Sequence, residues 1–406
     1  MGDYLLAWRN IWRNSRRSIL TILAIVFASG LLVFMLSFQF GAYEDMIDSS
    51  VRLSTGHVQV QAEGYQKRPE MHKVIENPSP LLEGIAGLEG VYAVTSRSET
   101  FALAAGAERS RGVMVSGVRA GVERRISSLP GQIREGRYLQ DGDSDVAVIG
   151  ALGAERLKIG VGDECTLIGQ GRDGSVAATV VIIVGIFRTG IDEFDRSAIQ
   201  IPFSDFDSVF SMEGSAHRLV IITENLADDR PVAAAVRMMP GVEGLVVLTW
   251  DELTPGLRQS IELDLIGGVI MYAILVIVVA FSILNTFFMA IFERTREFGV
   301  LMAIGTKPLR LVKIMLLESL AMTCVGLAAG MVLGVAATLF FSYYGISMGD
   351  SSELMAQYGL ADRLYPRLSV MSILIGPAII SVVTFITALV PALKIVSMRP
   401  VAALRG

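Results

Sequence analysis

Four long stretches of this chain carry no Asp, Glu, Lys or Arg: Ser18–Tyr43, Leu265–Phe292, Ser319–Gly349 and Leu368–Leu393, each at least 26 residues. About 20 helical residues suffice to cross a ~30 Å hydrocarbon core, so the pattern predicts four membrane helices. Between the first and second lies a long segment of different texture. His57–Gln61 alternates, Val91–Ala105 and Arg111–Val118 read as strands that can pair, and Leu219–Thr223 and Leu245–Leu248 are short apolar strands. Pro80–Leu88 and Asp228–Met239 read as helices, each preceding a strand. The predicted fold is an α-helical membrane protein with four transmembrane helices plus a large α+β outer (periplasmic) domain between the first and second.

In order, the chain reads as an amphipathic helix (1–17), a span (18–43), the outer domain (44–261) and a second span (262–292). A short charged helix (293–306), a third span (307–345), a short outer loop (346–367), a fourth span (368–393) and a tail (394–406) follow. Inside the outer domain, two related strand–helix–strand halves (about 54–119 and 215–252) flank an inserted β subdomain (about 120–202). Glu44–Leu53 and Leu253–Ile261 keep helical character and read as stalks.

The polar island between the second and third spans is the most distinctive stretch. Of the 21 residues Glu293–Lys313, seven are Lys, Arg or Glu, whereas the 28 residues before them are uncharged. Phe298, Leu301 and Ile304 recur at helical spacing, which predicts a short helix with one apolar and one charged face. Gly305 supplies a stop, Thr306 a cap for the next helix, and Pro308 suits its first turn. The N-terminal Tyr4, Leu5, Trp8, Ile11 and Trp12 share a helical face, suited to lying along headgroups.

Lys and Arg set the orientation. Arg9, Arg13, Arg16 and Arg17 precede the first span; Arg294, Arg296, Lys307, Arg310 and Lys313 lie in the island; Lys394, Arg399 and Arg405 follow the last span. The loop at 346–367 sets only Arg363 and Arg367 against Asp350, Glu353 and Asp362. Both termini and the island are therefore expected in the cytoplasm, and the large domain outside. Residues 41–261 hold 31 acidic and 21 basic residues, net −10, against +5 for the rest. An acidic outer domain argues against a nucleic-acid partner.

Catalytic chemistry is not in evidence. His57, His72 and His217 have no metal-ligand spacing, and no lysine precedes Ser or Thr, which excludes a Walker A loop. The two cysteines, Cys165 and Cys324, fall outside and inside a span, so no disulfide framework is expected. Glu318 near the start of the third span reads as snorkelling or as half of a helix pair. Gly326, Gly330 and Gly334 line one helix face and permit close approach of another helix, either within the subunit or across a dimer. Gly376-Pro377 and Pro391 are expected to kink or end the fourth helix.

The layout and several motifs resemble the MacB-like ABC transporter permeases, including lipoprotein-releasing permeases of the LolC/LolE type and the membrane part of macrolide exporters. The motifs are LAWRNIWRNSRRSILTILAI, TGHVQVQ, GRYL…VAVIG…LKIGVGD, ERTREFGVLMAIGTKP and MRPVAALRG. The resemblance implies a non-catalytic permease subunit of a bacterial inner membrane that binds no cofactor itself. ATP and Mg would sit on a separate cytoplasmic ABC ATPase dimer, with a second permease copy or paralogue alongside and a periplasmic carrier or lipoprotein as a further partner. It implies a coupling helix, onto which Glu293, Arg294, Arg296, Glu297, Phe298, Gly299, Leu301 and Gly305 map. Expected cargo is lipoprotein, lipid or peptide. The alternative, similar to FtsX, is transmembrane signalling that activates an extracytoplasmic cell-wall hydrolase.

Overall fold

The computed structural model describes residues 2–13, 15–347, 349 and 363–396, so most of the short loop and the terminal MRPVAALRG, with Arg399 and Arg405, lie outside the described residues. The chain forms two compact units, Met1–Tyr43 with Ser260–Ile346 and Arg363–Gly406, and Glu44–Gln259 with Ser347–Asp362. Helix α1 (Gly2–Arg13) is followed by α2 (Ser15–Ser50) and a single wide turn, Val51–Thr55.

The second unit is α+β. Strand β1 (Val58–Ala62), helix α3 (Pro78–Ala86) and strand β2 (Val91–Ala105) form one βαβ segment. Much later, β9 (Arg218–Thr223), α8 (Asp229–Arg237) and β10 (Leu245–Thr249) form another. The two interleave in one sheet of order β10-β1-β9-β2, antiparallel at every neighbour. This is the split βαβ arrangement. Val58, Val60, Leu219, Ile221 and Val247 point to one face and pack on Leu81, Ile85, Val232 and Val236 of the helices. A capping box, Thr249 with Glu252, starts the short α9 (Trp250–Leu253) directly after β10.

Everything between the two βαβ segments builds a second layer. It contains β3 (Ser110–Val118), α4 (Ala120–Ile126), β4 (Ile133–Gly136), β5 (Val146–Gly150), α5 (Ala151–Leu157), β6 (Glu164–Gln170), β7 (Val176–Phe187), α6 (Asp192–Ser197), β8 (Ala198–Pro202) and α7 (Phe203–Val209). The pairings β2–β3–β8–β5–β7–β6 return to β2, so six strands close into a small barrel. Closure removes the edges an open sheet would expose. Its interior is narrow and filled by Ala102, Ala104, Val113, Val115, Ala147, Cys165, Leu167, Ala177 and Val181. Burial raises the Cys165 thiol pKa to about 11, which keeps it a neutral core group.

β2 belongs to both layers. Val91–Arg97 pairs with β9, whereas Ser98–Ala105 pairs with β3. The insertion thus begins inside a strand, upstream of Ala120, where the apolar alternation runs on without a break. At the crossing point Arg97 is buried with Glu123 of α4, through two 2.7 Å hydrogen bonds, and donates a third of 2.5 Å to the Ser54 carbonyl. Burial works against the Arg97 charge, but the Glu123 carboxylate more than offsets it and raises the pKa.

In the other unit, α2 is the hub, with Ile25, Ala28, Ser29, Leu32 and Val33 at most 1% exposed. The remaining long helices are α10 (Pro255–Ala303), α11 (Pro308–Tyr344) and α12 (Val370–Val396). A Cβ on Gly326, Gly330 or Gly334 would lie 2.7–2.8 Å from atoms of Ile25, Ser29 and Gly30 or Val33, so the glycine stripe of α11 lies directly on α2. Gly376 of α12 approaches Leu32 in the same way, and the Ser37 hydroxyl donates to Ser372 at 2.9 Å. Pro377 and Pro391 are both buried inside α12, and neither ends it. Packed neighbours let membrane helices tolerate the missing N–H.

Candidate functional site: the island end of the helical unit

Structure gives the island no helix of its own. α10 runs unbroken for 49 residues from Pro255 to Ala303, about 74 Å at 1.5 Å per residue, and Glu293–Ala303 are its last turns. Nothing in Phe292–Phe298 breaks a helix, since Glu and Arg are good helix formers. The helix stops in a Schellman motif: Gly305, at φ +102°, donates to the Met302 carbonyl at 3.1 Å, and Thr306 donates to the Leu301 carbonyl at 3.0 Å. Thr306 therefore closes α10 rather than capping α11, whose N-cap is the extended Lys307, followed by Pro308.

Most of the island's charges are engaged by this chain. Arg13 donates to both Glu297 oxygens at 2.6 and 2.8 Å, and Arg17 to Glu293 at 2.8 Å. Arg294 donates to both oxygens of Glu318 at 3.2 Å and to Glu297 at 3.3 Å, while its guanidinium sits 5.2 Å from the Phe298 ring centre. Asn10 adds a 2.5 Å bond to the buried Glu318 carboxylate. Phe298 and Gly299 are buried, the ring packed among Ile11, Leu311, Val312 and Ile395. The N-terminal helix is thereby clasped to α10 and α11.

What remains outward is a different face. Arg296, Val300 and Ala303 are exposed at helical spacing on the last turns of α10, with Leu301 beside them, and Ile304 and Lys307 are exposed in the turn that follows. Among the described residues, no hydrogen bond or ion pair holds Arg296. The sequence pattern predicts one apolar and one charged face; the structure leaves exposed a short apolar strip, Val300, Leu301 and Ala303, with Arg296 one turn before it. Asn10, Arg13, Arg17 and Glu318 were not singled out as partners of the island.

A second cluster ties α2 to α10 far from the island. Tyr43 donates to Asp264 at 2.6 Å, Gln39 donates to Tyr43 at 2.7 Å, and Tyr272 donates to the Gln39 side-chain oxygen at 2.7 Å. Gly268 makes room, since a Cβ there would lie 2.6 Å from the Gln39 amide nitrogen. α10 is thus stapled to its neighbours at both ends. Its middle is exposed and apolar, through residues such as Ile270, Ile274, Val278 and Phe281.

The described residues hold four helices long and apolar enough to cross a membrane, with a large α+β domain between the first and second, the layout of a multi-span membrane protein. The MacB-like periplasmic core domain family matches residues 18–239 and the FtsX-like permease C-terminal family residues 269–400, so the chain belongs to the MacB-like ABC transporter permeases. An uncharacterized ABC transporter permease of Methanocaldococcus jannaschii is 23% identical over 98% of this chain and 96% of its own length. The lipoprotein-releasing system transmembrane protein LolC of Neisseria meningitidis is 24% identical over 63% of this chain and 63% of its own. The crystal structure of the periplasmic region of MacB from Actinobacillus actinomycetemcomitans is 14% identical, covering 52% of this chain and 94% of that one, with a TM-score of 0.38.

Proposed function

We propose that this chain is the permease subunit of an ABC transporter and transmits the work of ATP hydrolysis on a separate cytoplasmic ATPase to its α+β domain. The cargo class is lipoprotein, lipid or peptide, released or exported outside a bacterial inner membrane. A second permease copy or paralogue matches the two-fold ATPase. The observation that carries this reading is the outward strip Arg296–Val300–Ala303 at the tip of a 49-residue helix whose neighbouring charges are already satisfied. A partner seated there would push on a helix held to α1, α2 and α11, so displacement would pass along the rod rather than be lost at its end.

Arg296→Glu is the sharpest test. Glu297 holds Arg13, so reversing it would disturb the chain itself, whereas Arg296 is exposed and surface changes typically alter stability by only about 0.5 kcal/mol. Placing a like charge in a specific interface costs several kcal/mol, on the order of 100-fold or more in affinity. The variant should insert and melt as wild type while losing co-purification with the ATPase and cargo-stimulated hydrolysis. Wild-type levels of both would remove this strip from the coupling contact. Activation of a cell-wall hydrolase without cargo release would replace transport by signalling.

A further inference from the structure

Where β2 passes from one sheet to the barrel, it leaves an opening. β9 accompanies it as far as Arg97 and β6 pairs with it only from Leu103, so among the described residues 98–102 pair with β3 on one side and with no strand on the other, although Gly169 of β6 lies close to Ala102. A cleft of about 640 Å³ lies in this fork, lined among others by Tyr65, Phe101, Met114, Arg172 and Arg218. Volumes of roughly 300–1,000 Å³ are typical of ligand sites.

The chemistry of the lining is specific. The Glu99 N–H donates to His217 Nδ1 at 3.0 Å, on the side away from β3. Alternate residues of an antiparallel strand turn their peptide groups to the same side, so Phe101 presents its N–H and carbonyl to the fork. Arg218 closes the floor: it is 9% exposed, donates from one terminal nitrogen to Glu99, and its buried Nε has no partner. Arg172 stands at the rim, held by the Ser215 hydroxyl at 2.9 Å. Both acidic groups of the lining are committed, Glu99 to Arg218 and Glu70 to Lys73 at 3.0 Å. Arg172 also reaches Glu76 at 3.4 Å, so the donor left over is the buried Nε of Arg218. Beside them Phe101, 66% exposed, begins an apolar strip continued by Leu103 and Ile168 on the outside of the barrel.

We propose that this fork binds an extended peptide segment that carries a carboxylate next to apolar side chains. The peptide main chain pairs with the open edge of β2 at Phe101, its carboxylate meets Arg218 and Arg172, and its apolar side chains lie on Phe101 and Met114. Addition of a strand to an open edge supplies affinity through the main chain, and neighbouring side chains supply selectivity. With the Glu99 N–H given to His217, the peptide groups turned to the fork without a strand partner are the Glu99 carbonyl and both groups of Phe101, a span of about 7 Å that suits a segment of two or three residues.

Fluorescence anisotropy with the full-length chain in detergent tests this, using a labelled decapeptide of alternating valine and threonine ending in aspartate. No ATPase or nucleotide is present, so the outcome is independent of the coupling reading above. The acid peptide should bind, and its form with asparagine amide at the end should bind about tenfold more weakly, a difference of about 1.4 kcal/mol. Phe101→Ala and Arg172→Gln, checked for unchanged melting, should each weaken the acid peptide by a similar factor. Met238→Ala, far more exposed and outside the fork, should not. Absence of binding, equal binding of acid and amide, or unchanged affinity in both variants would overturn the proposal. So would displacement of the peptide by decanoate at the same concentration as by unlabelled peptide, which would make the site one for amphiphiles.

Discussion

Removing one partner of the Arg97–Glu123 pair should be among the most damaging substitutions in the α+β domain. Both side chains are essentially inaccessible, at 3% and 0%. Glu123→Gln keeps the shape but leaves the Arg97 charge buried with only neutral acceptors, the Ser54 carbonyl and one amide oxygen, and sets an amide NH2 against the guanidinium. Breaking a buried pair from one side costs about 3–5 kcal/mol, because the surviving charge is not rehydrated. That is a factor of roughly 10²–10⁴ in the folding equilibrium. Replacing both, Arg97→Met with Glu123→Leu, removes the stranded charge, and buried pairs exchanged for apolar groups are often neutral or better. The remaining penalty is the orphaned Ser54 carbonyl, about 1–3 kcal/mol. The double variant should therefore be more stable than Glu123→Gln alone, with a coupling energy of at least about 2 kcal/mol. Of the three tryptophans, Trp8 and Trp12 lie in α1 and Trp250 follows β10. In a Trp8→Phe, Trp12→Phe background, urea unfolding of the detergent-solubilised chain followed by Trp250 fluorescence reports this domain. A loss below 1 kcal/mol in Glu123→Gln, or a double variant as unstable as the sum of the singles, would refute the reasoning.

Other expectations follow from equally local geometry. Gly330→Leu should lower stability by about 1–3 kcal/mol through overpacking, since even a Cβ would lie 2.7 Å from Ser29 Cβ and 2.8 Å from the Val26 carbonyl oxygen; unchanged melting in detergent would deny the α2–α11 contact. His217 is held neutral, accepting at Nδ1 and facing the Met71 carbonyl with Nε2, and burial lowers its pKa to about 4. Its folded pKa lies below the unfolded value, so its contribution is present above about pH 6.5 and lost as pH falls toward 4, on the order of 3 kcal/mol in all. The stability difference between wild type and His217→Gln should shrink across that window, and a pH-independent difference would contradict it. For topology, with Cys165 and Cys324 replaced, a cysteine at Thr306 should react only from the cytoplasmic side and one at Gln140 only from outside; outside labelling at 306 would reverse the arrangement.

Membrane spans are legible because a charge-free run of 26 or more residues has few other stable settings in a chain this polar elsewhere. The paired β2 and β3 were legible for a similar reason, since alternation and a turn are local. Closure of the barrel was not. Its inward positions, Ala102, Ala104, Ala147 and Ala177, are too small to announce a core, and the pairing of β2 with β6 joins Leu103 to Ile168 across a long stretch of chain. The island shows the same limit more sharply. Periodicity revealed an amphipathic segment, but which charges were already satisfied depended on Arg13 and Arg17, 284 and 276 residues from their partners. Arg296 and Glu297 look alike in sequence; only the fold separates the exposed residue from the committed one.

The shared strand has a consequence for how freely this domain can be recombined. Inserted domains usually enter at a surface turn, where a cut leaves two closed structures. Here a graft made at a loop would carry half of β2 away and strip β9 or β3 of its neighbour, exposing a fresh row of unpaired peptide groups. A workable chimaera would have to keep Val91–Ala105 from one parent together with both flanking strands, β9 and β3. Exchange among relatives should therefore favour the whole α+β domain, or substitutions on the barrel's surface, over replacement of the barrel alone.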